Sequence, residues 1–191
     1  MRVNYTDQET KILVTSVTKV YPTLIKHYVY KEAILQRVQG FTPAEVIPKR
    51  NDNNPIASDI YFEESIRRTK TVISDLVLSN QFEHFATFTF AKDRQNIIKS
   101  KQKMSDWLSS QRKIHGHFDY LIVPEFHKDG KSLHFHALLQ GYKGNLHLTN
   151  KKIGGRPVYN ITSYKKGFST LVVIDNQEKV SSYVKKYITI K

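Results

Sequence analysis

Cysteine is absent from the 191 residues. Disulfides, thiolate zinc sites and cysteine nucleophiles are therefore excluded, and the absence fits a reducing compartment. No apolar run approaches the length of a membrane span, and the N-terminus, Met1-Arg2-Val3-Asn4-Tyr5-Thr6-Asp7, lacks a signal-peptide core. The expectation is a soluble, cytoplasmic protein with no membrane partner. Internal repeats and low-complexity segments are missing as well. Acidic residues are scarce relative to basic ones: 17 Asp and Glu against 30 Lys and Arg leave a formal charge of +13 and a pI near 9.8. That balance favours a polyanionic partner, nucleic acid first. The aromatic and β-branched content speaks against disorder, and the length suffices for one domain, with or without an extension, around a real core.

Lys11 to Tyr30 is rich in Val, Ile, Thr and Tyr and broken at Pro22, which predicts two extended segments. Lys31 to Gln39 reads either as a short helix or as a continuation of strand. Thr42 to Pro55, with three prolines and the run Lys49-Arg50-Asn51-Asp52-Asn53-Asn54, reads as a loop. These features divide the chain into an N-terminal extension over 1–56 and a main body over 57–191. Ser58 is the expected cap of a helix reaching about Leu78, with Ile66, Ile73 and Val77 on one side, Leu76 beside them, and Asn80 as its stop. Phe85 to Phe90 alternates as a strand, with Ala86, Phe88 and Phe90 turned to the core and Thr87 and Thr89 to the other face. A helix is expected from Lys92 to Arg112, burying Ile97, Ile98, Met104, Trp107 and Leu108 and ending at His115-Gly116. Strands come next over Phe118 to Glu125 and Leu133 to Leu139. Gly141 to Gly167, with five glycines, reads as a long loop. Phe168 to Asp175 is a further strand, and Gln177 to Lys191 a last helix.

Short hairpin connections favour an antiparallel sheet. The predicted fold is α+β: an antiparallel sheet of about five strands with helices on one face, ferredoxin-like, plus the N-terminal extension.

The hairpin over residues 120–139 concentrates the candidate chemistry. Lys128-Asp129-Gly130-Lys131 is turn sequence. Side chains alternate along a strand, so His134 and His136 share a face while Phe135 and Ala137 take the other. Glu125, near the end of the preceding strand, lies where a carboxylate reaches that face, and Asp129 is the alternative carboxylate. Two imidazoles and one carboxylate with open positions suit a catalytic divalent ion rather than a closed structural one. A His-x-His pair on an amphipathic strand is otherwise two surface histidines. His127 reads as a surface residue or a group behind the ligands. His84, His115, His117 and His147 have no spacing that argues for ligation.

In the last helix Tyr183 and Tyr187 are four residues apart and lie one above the other, with Lys186 beside them. A phenol attacks a phosphodiester when a metal polarises the phosphate and a cation stabilises the developing charge. Ordinary packing is the competing reading, but Val180, Val184 and Ile188 supply an apolar stripe without the tyrosines. Arg67, Arg68, Arg94, Lys151, Lys152 and Arg156 are candidate phosphate contacts, with a solvated charged face as the plainer reading of Arg67 and Arg68.

His134-Phe135-His136, Phe88-Thr89-Phe90 and Tyr183-Val184-Lys185-Lys186-Tyr187 resemble, in that order, the histidine motif, the first motif and the tyrosine motif of the HUH single-strand endonucleases. Tyrosine after the histidines, and the lead Pro124-Glu125-Phe126-His127-Lys128-Asp129-Gly130, resemble the rolling-circle replication initiators of phages, plasmids and small viruses. The resemblance covers Phe85 to Lys191. It implies that His134, His136 and Glu125 ligate Mn²⁺ or Mg²⁺ and that Tyr183 attacks the scissile phosphate, giving a 5′-phosphotyrosine link and a free 3′-OH. Lys186 matches the lysine of a single-tyrosine pattern, and Tyr187 is a second nucleophile under a two-tyrosine pattern. The implied partner is single-stranded DNA at a replication origin, in hairpin form, with a host or self-encoded helicase beside it and a bacterial cytoplasm as the setting. The chain, ending just past the tyrosine helix, is expected to be one part of a longer protein. Two other functions stand beside this one: a transposase or mobilisation nuclease of the same chemistry, and a non-catalytic single-strand nucleic-acid binder on a ferredoxin-like sheet.

Overall fold

A computed structural model of the chain describes residues 11–37 and 55–188, in two compact units, Met1–Tyr61 and Phe62–Lys191. In the first unit, β1 (Lys11–Val20) and β2 (Ile25–Arg37) pair as an antiparallel hairpin whose register slips between Val14 and Ser16. Pro22 sits in the connection, where no ladder hydrogen bond is lost, and the Tyr21 N–H donates to the Leu24 carbonyl at 2.9 Å. Beyond Lys31 the chain continues as strand, not helix. The loop expected over Thr42 to Pro55 lies outside the described residues as far as Asn54.

Helix α1 (Pro55–Ser79) begins three residues before the expected Ser58. Proline is favoured in a first helical turn because its missing N–H has no partner there anyway. At the other end the Asn80 side chain donates to the Leu76 carbonyl at 2.7 Å. Ser74, Val77 and Leu78 are buried with Ile73 packed beside them, whereas Leu76 is exposed.

The second unit is built on a six-stranded sheet: β3 (His84–Phe88), β4 (Asp119–Phe126), β5 (Leu133–Gln140), β6 (Leu146–Ile153), β7 (Arg156–Ile161) and β8 (Ser169–Val173). The strand order is β4-β5-β3-β8-β7-β6 and every pairing is antiparallel. The α+β class with an antiparallel sheet therefore holds. The segment Gly141 to Gly167 differs from its expectation as a loop. It forms the β6–β7 hairpin, which turns at Gly154 and Gly155, both at positive φ. Strand β6 is an edge strand, mostly exposed and carrying Lys151 and Lys152, so it lacks the alternation that marks a half-buried strand; charged edges of this kind also resist edge-to-edge pairing.

Helix α2 (Ile97–His115) starts later than expected, capped by Asn96, whose side chain accepts from the Lys99 N–H at 3.0 Å. Ile97 and Ile98 are exposed, while Ser100 and Gln111 join Met104, Trp107 and Leu108 inside. Helix α3 (Gln177–Lys186) is capped by Asn176 and ends at Tyr187; Lys191 lies outside the described residues.

Strand β5 is buried on both faces. Leu133, Phe135, Ala137 and Leu139 enter a core with Ala86, Phe88, Phe90, Met104 and Trp107, so α2 covers this face. On the other face Leu138 and Val123 pack with Val77 of α1 and Val180 and Val184 of α3. Helices thus cover both faces, which departs from the one-sided arrangement expected. Each fully buried Phe or Leu stabilises the fold by roughly 1.5–3 kcal/mol, so an apolar patch on either face draws a helix onto it. The patch on the histidine face is what brings α3 to the histidines.

Candidate metal centre and tyrosine helix

The β4–β5 register pairs Glu125 with His134 and Val123 with His136, so Glu125 and both histidines share a face by alternation. The Glu125 Oε2 atom lies 2.7 Å from His134 Nε2 and 2.6 Å from His136 Nε2, and the two Nε2 atoms are 3.1 Å apart. Three ligand atoms therefore converge on one point, and they form the one such group of His, Asp and Glu among the described residues. With ligand bonds of about 2.1 Å, neighbouring ligands of an octahedral ion stand about 3.0 Å apart. The triangle has that size, so the donor set fits one face of an octahedral divalent ion and leaves the opposite face open.

Burial holds both imidazoles below the ordinary histidine pKa, outweighing the pull of Glu125 in the other direction. The neutral rings favoured in this way are the form that ligates a metal. His136 Nδ1 lies 3.1 Å from the Thr87 hydroxyl, reached because β3 places Thr87 directly opposite His136. When Nδ1–H donates to that hydroxyl, the Nε2 lone pair faces Glu125. Among the described residues His134 Nδ1 has no partner, and its ring packs on His127 with centroids 4.3 Å apart.

The candidate carboxylate Asp129 is engaged elsewhere. It accepts from the Lys131 and Ser132 N–H groups at 2.9 and 2.8 Å and from the Ser132 hydroxyl at 2.5 Å. These bonds, the Ser132 hydroxyl first, hold its carboxyl well below the usual range. Asp129 organises the turn, and Glu125 meets the histidines.

Helix α3 docks on the same face. Its Ser181 hydroxyl meets the Ser74 hydroxyl of α1 at 2.9 Å in a buried contact, and Gln177 Nε2 donates to the Phe82 carbonyl at 2.5 Å. With Val180, Ser181 and Val184 turned inward, the tyrosines reach the histidines. The Tyr187 ring stacks on His136 with centroids 4.1 Å apart and planes 19° apart. Tyr183 stands edge-on to Tyr187 at 5.0 Å and to Phe85 at 5.4 Å, its centroid 6.2 Å from His136. Phe85 stacks on the other side of His136 at 5.4 Å. Burial, then a hydrogen bond with Tyr183, raises the Tyr187 phenol above its ordinary pKa. Tyr183 is 44% exposed. Lys186 is exposed in the last turn of α3.

The expected phosphate contacts are scattered. Arg67 and Arg68 are exposed on α1, with Arg68 paired to Glu64 at 3.0 Å. Arg94 is exposed, and its carbonyl accepts from the Leu133 N–H at 2.7 Å, beside the histidine strand. Lys151 and Lys152 are exposed on β6. Arg156 binds Asp175 at 2.9 Å. Thr87 and Phe85 were not singled out as site residues from the sequence; the signal for them was their parity on β3 with the histidine face.

The family model described as replication-associated protein, ORF2 type, matches residues 83–191, more than half of the chain and the part that holds the histidines, Glu125 and the tyrosines. No curated protein and no solved structure matches.

Proposed function

The chain belongs to the ORF2-type replication-associated protein family, and from that premise we propose that it is a metal-dependent endonuclease of the HUH type that nicks single-stranded origin DNA to start rolling-circle replication. The observation that carries the reading is convergence: Glu125, His134 and His136 within 3.1 Å of one another, with Tyr187 stacked on His136 and Tyr183 next to it. A structural pair of surface histidines would not need a shared carboxylate contact and two phenols on the same face.

Glu125, His134 and His136 hold Mn²⁺ or Mg²⁺, which supplies Lewis-acid polarisation of the scissile phosphate and neutralises charge on it. Tyr183, the more exposed phenol, is the first nucleophile. Its oxygen forms a bond to phosphorus as the bond from phosphorus to the 3′-oxygen breaks; the phenolic proton leaves to solvent or base, and the 3′-oxygen departs as a free hydroxyl. The strand stays joined to the protein through a 5′-phosphotyrosine, so the phosphodiester is conserved for later rejoining. Tyr187, four residues on, is placed to act in that second transfer. Lys186 contributes positive charge beside them.

The test is incubation of the protein with single-stranded origin DNA and Mn²⁺, read as a slower band on a denaturing gel. We expect Tyr183→Phe to remove at least about nine-tenths of that band and EDTA or His136→Ala to remove it with DNA binding retained. A band that survives Tyr183→Phe moves the first attack to Tyr187, and full cleavage in EDTA rules out the metal-dependent mechanism. A wild-type protein that binds the strand without any adduct supports the non-catalytic binder instead.

A further inference from the structure

Phe168 is 83% exposed, more than any other large apolar side chain among the described residues. A single exposed Phe is ordinary on a protein surface; its setting is not. The backbone on either side is pinned. Thr89 N–H donates to the Phe168 carbonyl at 2.9 Å, Phe168 N–H donates to Thr89 Oγ1 at 3.0 Å, and Ala91 N–H donates to the Lys166 carbonyl at 2.9 Å. The Tyr164 hydroxyl donates to the Thr89 carbonyl at 2.9 Å. Gly167 lies so close to the chain just past β3 that a Cβ there would overlap the Thr89 carbonyl. The ring is therefore presented to solvent from a fixed support, not from a loose loop.

Its direction is set by the strand pleat. Ser169 and Leu171 are buried and Leu171 belongs to the core under α2, so alternation sends Phe168 and Thr170 to the opposite, histidine-bearing face. Thr170 pairs with Thr87, and Thr87 pairs with His136. Two residues further along the same registers, Thr89 lies between His134 and Phe168. Phe168 is thus two strand spacings, about 10 Å, from the metal ligands. Lys165 and Lys166 immediately precede Gly167 and Phe168 in a chain of formal charge +13.

We propose that Phe168 is a nucleobase-stacking residue for the single-stranded substrate, and that with Lys165 and Lys166 it forms a subsite beside the metal centre. A flat aromatic face stacks on any base and so contributes affinity without sequence readout, while the lysines track the adjacent phosphates. A fixed ring loses little freedom on binding, which makes the stack more favourable than one from a mobile loop. The subsite rests on the nickase reading only in taking unpaired nucleic acid as the ligand.

The experiment uses the full chain in EDTA, so that cleavage does not interfere, with fluorescein-labelled oligothymidylate as the probe and anisotropy as the readout. Stacking is worth roughly 1–3 kcal/mol per base, so Phe168→Ala is expected to weaken binding about 5- to 150-fold. Phe168→Trp should bind within about twofold of the parent, and Phe168→Leu, equally apolar but without a π-face, should fall with the alanine variant. Binding of a blunt duplex, whose bases are already stacked, should be indifferent to all three. Thermal melting checks that each variant folds, as expected for a side chain with no packing to lose. Parent-like binding by Phe168→Ala, or by Phe168→Leu, overturns the proposal. If Phe168→Ala loses binding but the parent forms no covalent adduct with Mn²⁺, the subsite stands and the nickase reading falls; adduct formation with unchanged Phe168→Ala binding has the reverse meaning.

Discussion

Thr87 is a small residue whose hydroxyl sits 3.1 Å from the outer nitrogen of His136, behind the ligand atom. Groups in that position fix the imidazole tautomer and ring angle, and losing one typically weakens metal binding about 10- to 100-fold. Thr87→Val, which keeps the shape and deletes the hydroxyl, is expected to raise the Mn²⁺ dissociation constant by roughly that factor in calorimetric titration, with Thr87→Ser close to the parent. An unchanged constant for Thr87→Val would mean that packing by Phe85 and Tyr187 on the two sides of His136 suffices to hold the ring. At the same scale Glu125 and Asp129 show how environment divides two similar carboxylates. Asp129 closes on its own turn through three hydrogen bonds, while Glu125 faces the two histidines.

At the scale of elements, β3 ties the two faces of the sheet together. Its inward residues Ala86 and Phe88 pack under α2, its residue Thr87 supports the metal site, and the Thr89 carbonyl just beyond it accepts from Tyr164. Burial raises the Tyr164 and Tyr142 phenols well above their ordinary pKa. The sign of the consequence is set by proton binding. Unfolded tyrosine loses its proton near pH ~10 while the folded phenols keep theirs, so above that pH the unfolded state binds fewer protons. Their contribution to stability is complete below about pH 10 and declines as pH rises toward the folded values. Urea unfolding between about pH 9 and about pH 11 should show this decline. Tyr164→Phe should lower stability below about pH 10 by about 1 kcal/mol for the lost hydrogen bond, yet flatten the alkaline slope by up to about 1.4 kcal/mol per pH unit. Identical slopes in the two proteins would show that Tyr164 ionises in the folded state as it does unfolded.

For the whole molecule the relevant quantity is charge. A formal +13 makes binding to a polyanion depend on salt, each neutralised phosphate of a single strand adding about 0.7 to the slope of log affinity against log salt. Lys151 and Lys152 stand exposed on the edge strand β6, whereas Arg68 and Arg156 already have Glu64 and Asp175 as partners. Replacing Lys151 and Lys152 with Gln should reduce the slope for single-stranded DNA by roughly 1.4, and Arg156→Gln should change it less. A slope unaffected by the lysine pair would move the phosphate path away from the β6 edge. No helix among the described residues is long and apolar enough to cross a membrane, and the family model places the chain among replication-associated proteins, for which nucleic acid is the partner.

The amino-acid sequence by itself determined the features that depend on local periodicity and composition. A strand has a period of two, so His134 and His136 had to share a face; a helix brings residues four apart together, so Tyr183 and Tyr187 had to meet. Absent cysteine and the basic excess needed no fold at all. The β6–β7 hairpin was hidden because an edge strand with few buried residues has no alternation to read, and Ile97 and Ile98 misled because an apolar residue at a helix start need not face the core. Tertiary structure alone decided which carboxylate joins the histidines and on which side of the sheet the tyrosines lie. Those outcomes depend on partners remote in sequence, Thr87 with His136 and Ser74 with Ser181, and no local pattern encodes a contact between segments that meet only when an apolar patch on the sheet must be covered.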